Sequence, residues 1–414
     1  MSIEFIGMAC ALGLSAMGGI LFLGGGSTVT IAQRMFEGMN SFALLAIPLY
    51  TFAGFTMSKG GISKRLMDFC YSIVGHIYGG LAHVNVLSSM IFAGISGSAV
   101  ADTAGVSGMF MPEMIRKGYS KNFTVAVTAI SSTIGIIIPP SIPMVVIAGI
   151  CGISTGKLFL GGIIPGVLCG LAQMIVSYFL AKKEGVPKEP GHFTIGPVLH
   201  GLWESWPALL MPIIIVGTIT MGIVSPTEAG VIAVVYGLFA GGIIYRELKW
   251  EDIKFAFAET VRTSGRIFIV IGAAKLYTVM LTTAGFDKWV AKTMLGFSTN
   301  PTVILIMILL IFFIVTMFME SIATLTLFMP ILYPIAIGVG IDPIVLSVLI
   351  TVVIGIGLVT PPVGMCIYVA CDLMDTTVGE VFPTLVPFIA ATFVCIALMV
   401  AFPQLILLPT YLMA

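Results

Sequence analysis

The sequence predicts an all-α polytopic membrane protein: an inverted-topology repeat with two re-entrant helical hairpins and two spans broken by Pro-Pro pairs. Three observations lead there. First, 58% of the 414 residues are hydrophobic and only 9% charged, with a mean hydropathy of +1.12; a soluble domain carries about a quarter charged residues. Second, small polar residues interrupt two long apolar regions, as in "GISGSAVADTAGVSG" (Gly94 to Gly108). Third, a set of motifs recurs in the same order in both halves of the chain.

Apolar runs of spanning length, roughly 17–25 residues, fall near 5–24, 42–58, 123–150, 158–181, 205–224, 228–245, 265–283, 344–370 and 383–411. Pro-Pro pairs interrupt 123–150 and 344–370. The regions 84–116 and 301–338 are long enough to enter the membrane twice, as hairpins. Irregular backbone at that depth survives only where protein or water covers it. Amphipathic segments near 62–80 and 286–297 are placed in the interface. The polar connection "AKKEGVPKEPGHF" (Ala181 to Phe193) reads as a cytoplasmic loop between two halves: residues 1–204 as the first repeat, 205–227 as a connecting span, 228–414 as the second repeat.

Basic residues set the orientation. With the N-terminus inside and both hairpins returning to their own side, the outer segments hold only Arg34, Lys157, Lys288 and Lys292, and Lys275 lies within a span. The other Lys and Arg residues, among them Lys59, Arg262 and Arg266, fall inside, as the positive-inside rule requires. The formal net charge is zero, which argues against a nucleic-acid partner. The seven cysteines are scattered singly, without a disulfide framework or a CxxC metal pattern, and no cleavable signal peptide is evident in "MSIEFIGMACALG".

The repeat is legible in short matches. In "DTAGVSGMFMP" (Asp102 to Pro112) and "ESIATLTLFMP" (Glu320 to Pro330) an acidic residue stands eight positions before Phe-Met-Pro. "GIIIPPSIPMVVIAG" (Gly135 to Gly149) matches "GLVTPPVGMCIYVAC" (Gly357 to Cys371), each with Pro-Pro four residues after glycine. Upstream, "KGGISKRL" pairs with "TAGFDKWV", Gly61 opposite Gly285. The extra span at 205–224 makes the second half enter from the opposite side. Inverted repeats whose broken helices meet at the midplane are the architecture of secondary transporters.

A helix ended in mid-membrane leaves N–H and C=O groups without partners. Aimed at an ion they become ligands, C-terminal carbonyls for a cation and N-terminal amides for a carboxylate. Proline forces the break by removing a donor and clashing with the preceding turn. A hard monovalent cation such as Na+ therefore finds an oxygen cage in two places. The first half offers Gly94, Ser96, Gly97, Ser98 and Asp102 with the carbonyls before Pro139. The second offers Glu320 and Thr324 with Thr360, Pro361 and Gly364. Ser98, Pro140, Ser141 and Pro362 are the positions to face a substrate. Asp102 and Glu320 are intramembrane acids, costly to bury and thus functional candidates. Plainer roles are available to each feature. Gly/Ser/Ala runs pack helices tightly, a Pro-Pro pair makes a kink, Asp102 or Glu320 caps a helix, and Lys275 pairs with a buried acid, draws an anion or snorkels to the interface. Glu228 in "SPTEAG" reads as a cap, and "GISGS" has neither the strand nor the nearby histidine of a serine hydrolase.

"GISGSAVADTAGVSGMFMPEMIRKGYS", "IPPSIPMVVIAG", "GIVSPTEAGVIAVVYG" and "GLVTPPVGMCIYV" together resemble the large membrane subunit of TRAP transporters, the DctM-type permease of tripartite ATP-independent periplasmic transporters. The resemblance runs over nearly the whole chain. It implies a multi-pass permease of the bacterial inner membrane, not an enzyme. It further implies sodium-driven import of an organic acid such as a C4-dicarboxylate or sialic acid, by an elevator movement of the hairpin domain. The implied partners are a small four-span membrane subunit (DctQ-type) and a periplasmic substrate-binding protein (DctP-type). The implied sodium sites fall on the Ser96–Ser98 region with the Pro139 break, and on the Glu320 region with the Thr360–Pro362 break. The family usually begins with a further apolar helix and a Gly-Val-Pro-like turn, so the resemblance implies a first helix here that is short or missing. A stand-alone divalent-anion:sodium symporter and a non-transporting structural subunit are the competing readings.

Overall fold

The computed structural model describes residues 2–22, 28–186 and 194–413. The expected cytoplasmic loop lies partly outside the described residues, because 187–193 are not among them. The chain is helical throughout its described length. Helices α1 (Ser2–Phe22), α2 (Thr28–Met39) and α3 (Ala46–Lys59) lead to the arm α4 (Ile62–Val74). The first hairpin is α5 (Gly80–Ser96) and α6 (Ala99–Arg116). The first broken span is α7 (Lys121–Ser132), extended by a 3-10 turn, and α8 (Ile142–Cys151); α9 (Thr155–Lys183) completes the half. The connecting helix α10 runs Ile195–Thr220, so the span expected from 205 begins earlier. The second half repeats the order: α11 (Pro226–Phe239), α12 (Trp250–Thr283), the arm α13 (Phe286–Phe297), the hairpin α14 (Pro301–Thr316) and α15 (Ser321–Gly338). Its broken span is α16 (Pro343–Gly357) and α17 (Met365–Leu373), followed by α18 (Val378–Ala401) and the short α19 (Gln404–Leu407).

Among the described residues, seven helices are long and apolar enough to cross a membrane. The hairpin and broken-span helices α5, α8, α14 and α16 are apolar but shorter. Ile306, Leu310 and Ile314 of α14, and Phe318 just after it, are exposed at four-residue spacing, a helix face that suits lipid. The first helix runs 21 residues, about 30 Å at 1.5 Å per residue.

Packing interlocks the halves. α1 lies along α12 and α11 along α3, and these form one wall. The helix after each break packs on the other half's hairpin, α8 against α15 and α17 against α6. Buried polar groups join α5 to α7: Asn85 Nδ2 donates to Thr128 Oγ1 at 2.7 Å, Ser131 Oγ to Asn85 Oδ1 at 3.1 Å and Ser89 Oγ to Ser131 Oγ at 3.0 Å. In an apolar solvent such bonds hold helices together where no hydrophobic drive distinguishes neighbour from lipid.

Two further elements differ from expectation. α2 was not expected; it is amphipathic, with Arg34 Nη1 donating to Glu37 Oε2 at 2.8 Å, and it packs on α12. α12 has 34 residues where 265–283 was expected. Its first turns are charged, but Glu259 and Arg262 pair along the helix at 2.6 Å, so the helix continues past the apolar stretch.

Candidate functional site

Both hairpin tips and both breaks meet at a cavity of about 470 Å³. One side is hairpin: Ser96 to Asp102 from the first tip and Glu320 to Ile322 from the second, with Ile136, Leu358 and Met365 from the breaks. The other side is wall: Thr51, Gly54, Phe55, Ser58 and Lys59 of α3, and Phe255, Glu259, Thr263, Arg266 and Ile267 of α12. Each set follows three- and four-residue steps, which is one face of one helix.

The tips are built by local chemistry. Ser96 ends α5, and its hydroxyl accepts from the Ser98 N–H at 3.3 Å. Gly97 turns the chain at φ +66°, a left-handed conformation open to glycine. Ser98 caps α6, accepting from the Ala101 N–H at 3.4 Å. The first break is tied to this tip, since the Ile142 N–H donates to the Gly97 carbonyl at 3.2 Å. The second half repeats the tie: the Val363 N–H donates to the Met317 carbonyl at 2.9 Å. Both Pro-Pro bonds, Pro139–Pro140 and Pro361–Pro362, are cis.

Pro139, Pro140 and Ser141 are buried against the first tip. Ser141 caps α8 and donates to the Ile136 carbonyl at 2.6 Å. It is not on the cavity surface. Thr360 is buried and donates to the Ile356 carbonyl at 2.7 Å; Gly364 is the N-cap of α17, while Pro362 is exposed. Thr324 is buried, donating to the Glu320 carbonyl at 3.0 Å. Donation leaves each hydroxyl's lone pairs available to a cation. Gly94 abuts Pro212 of α10 and serves close helix packing. Lys275 is absent from this cavity; its stem lies against Gly38 of α2.

The two intramembrane acids, aligned by their distance to Phe-Met-Pro, play different parts. Glu320 is the cap of α15: its carboxylate accepts from the Ile322 N–H at 2.7 Å, the Ala323 N–H at 3.3 Å and the Ser321 hydroxyl at 2.5 Å. Asp102 sits one turn inside α6, whose cap is Ser98. It is fully buried beside Gly135, Cys366 and the Ser96 hydroxyl, and neither of its oxygens makes a hydrogen bond of ordinary geometry among the described residues. The Thr51 hydroxyl, at the same cavity, likewise lacks one. Buried polar atoms are normally satisfied, which makes these two groups the candidates in this cavity for contact with a ligand. Among the described residues no group of three or more His, Cys, Asp or Glu is placed to hold a metal.

The sequence reading has none of Thr51, Lys59, Glu259 and Arg266 in the site, and it counts Arg266 among the inner basic residues although its expected span begins at 265. The signal on α12 was the series Glu259, Thr263, Arg266 on one helix face.

Opposed re-entrant hairpins with broken spans around one cavity define a secondary transporter. The match with the Alcanivorax borkumensis YdaH transporter agrees in fold: TM-score 0.63, 13% identity, covering 96% of this chain and 97% of that one. The family model "Tripartite ATP-independent periplasmic transporter, DctM component" matches residues 1–405. The isethionate TRAP transporter permease DctMQ of Oleidesulfovibrio alaskensis is 36% identical over 92% of this chain, which spans 60% of that relative. The sialic acid TRAP transporter large permease SiaM of Vibrio cholerae is 36% identical over 91% of this chain and 88% of its own. The C4-dicarboxylate TRAP transporter large permease DctM of Pseudomonas aeruginosa is 34% identical over 97% and 94%. The chain belongs to the DctM family: it is a TRAP transporter large permease, a multi-pass membrane protein and not an enzyme.

Proposed function

We propose that this permease imports an organic acid, driven by sodium, through an elevator movement of the two hairpins against the α3–α12 wall. The observation that carries the reading is the convergence of both tips on one cavity where Asp102 keeps two unpartnered carboxylate oxygens. A buried carboxylate without donors calls for a cation, and the C-terminal ends of α5, α14 and the helices before each break bring carbonyls to the same place. The N-termini of α6 and α15, each 18 residues long, present amides suited to a substrate carboxylate. The substrates in the relatives' names (isethionate, sialic acid, C4-dicarboxylates) are all organic anions, and that is the class assigned here. The small membrane subunit and the periplasmic binding protein belong to the same reading.

The cavity touches the C-terminal part of α3 and the N-terminal part of α12, the ends that carry Lys59, Lys254 and Arg262. By the positive-inside rule that is the cytoplasmic side, so the conformation reads as inward-facing.

Reconstitution tests this. The permease with its small subunit and binding protein should accumulate labelled succinate, N-acetylneuraminate or isethionate in proteoliposomes under an inward sodium gradient. No gradient-dependent uptake of any of the three, with an active control transporter, refutes it. Uptake without the binding protein instead establishes the stand-alone symporter.

A further inference from the structure

Three tyrosine hydroxyls staple the wall together. Tyr50 of α3 donates to the Pro226 carbonyl at the start of α11 at 2.7 Å. Tyr236 of α11 donates to the Pro207 carbonyl of α10 at 2.7 Å, and Tyr245, beyond α11, to the Glu204 carbonyl of α10 at 3.1 Å. The last turn of α5, which ends in the first hairpin tip, meets this frame at two buried glycines. A Cβ added to Gly54 of α3 would stand 3.3 Å from Ser96 Cα and 3.6 Å from the Ile95 carbonyl oxygen. A Cβ added to Gly94 of α5 would overlap the ring of Pro212 in α10. Such close approach is what associates helices in lipid, where van der Waals packing replaces the hydrophobic drive. On the face of α3 that lines the cavity, Thr51, Gly54 and Ser58, only Gly54 leaves a notch. Outward along that face stand Thr51 and then Ile47, both β-branched and stiff, so the tip fits the wall at the level of Gly54.

We propose that Gly54 and Gly94 are positioning residues that seat the first hairpin tip in the wall and hold the permease inward-facing. This rests on the elevator reading above. Outward movement carries Ser96 out of the notch and past Thr51, so each transport cycle gives up this contact and regains it. The seated turn is also the one whose C-terminal carbonyls are turned to the cation. A side chain in either seat therefore opposes the inward-facing arrangement, while the outward-facing one has already left the seat.

The test reads the two populations by spin–spin distances in the permease with its small subunit in nanodiscs. Labels are placed through Arg116→Cys at the end of α6 and Trp250→Cys at the start of α12, both exposed. Cys10 and Cys151, the two cysteines that are not buried, are replaced by serine. The otherwise unaltered protein should show two distances, the inward-facing one dominant. Gly54→Val and Gly94→Ala should each raise the other population relative to it on the order of tenfold, the effect of overpacking a contact made in one state only; Gly54→Ala should do so by less. Gly108→Val, where nothing lies within 4 Å of the added Cβ, should leave the ratio unchanged. In proteoliposomes the shifted variants should need less external sodium for half-maximal uptake and more internal sodium for inhibition. An unchanged ratio in both Gly54→Val and Gly94→Ala overturns the seat, as does weaker sodium affinity on both faces. A single broad distribution in place of two distances overturns it as well, since that is misfolding rather than exchange. One distance in every protein, with and without sodium, refutes the elevator reading and the seat with it.

Discussion

Gly97→Ala puts the first hairpin tip under direct test. Gly97 has φ +66°, and an L-residue held in the left-handed region costs about 1–2 kcal/mol. A methyl group there would also stand 2.8 Å from the Pro140 carbonyl oxygen. That oxygen belongs to the backbone of the Pro-Pro loop and cannot swing aside as a flexible side chain would. Forcing tip and loop apart adds about 1–3 kcal/mol, the usual cost of overpacking. The sum is about 2–5 kcal/mol, and the displacement also weakens the Ile142 N–H to Gly97 carbonyl bond of 3.2 Å. The comparison is Gly108→Ala on α6, where nothing lies within 4 Å of the added Cβ; alanine there should be neutral or stabilise by up to about 1 kcal/mol. Thermal unfolding of both variants in detergent, followed by tryptophan fluorescence, reads the difference. A Gly97→Ala protein that unfolds with the wild type, or a Gly108→Ala protein equally damaged, refutes the reasoning.

Three further expectations concern the same core. Glu320→Ala removes the acceptor for two backbone amides and should destabilise by about 1–2 kcal/mol; unfolding temperature and the sodium concentration for half-maximal uptake should both shift, and if neither does, the cap is dispensable. Asn85→Ala breaks the buried network of α5 and α7 and should cost about 1–3 kcal/mol, checked by thermal unfolding against Asn85→Asp, whose added charge in an apolar site should be worse. Ser98→Ala and Thr360→Val, if the hydroxyls coordinate sodium, should each raise the sodium half-saturation in uptake assays without lowering expression; unchanged sodium dependence in both returns the tips to a packing role.

Much of this protein was written in its local sequence. The hairpins, the breaks and their order follow from apolar runs interrupted by glycine, serine and proline, whose backbone effects act within a few residues. The positions of Ser96, Gly97, Ser98 and Glu320 at the tips could be read the same way. The shared distance to Phe-Met-Pro suggested one role for Asp102 and Glu320. Their roles diverge because a cap depends on where the helix starts, and α6 starts a turn earlier than α15 relative to that motif. Ser141 and Lys275 were in the right segments, but which way a helix face turns depends on what packs against it. For Lys275 that neighbour is α2, an element too short and too polar to register as a span.

The sequence by itself determined the membrane class, the inverted repeat and the two acids within it, since hydropathy and backbone breaks are properties of neighbouring residues. Only the tertiary structure decided that α8 packs on α15 and α17 on α6, that Asp102 is enclosed without partners, and that Arg266 and Lys59 face the hairpin tips across one cavity. These pairings join residues far apart in the chain, and they are settled by which helix faces can bury one another.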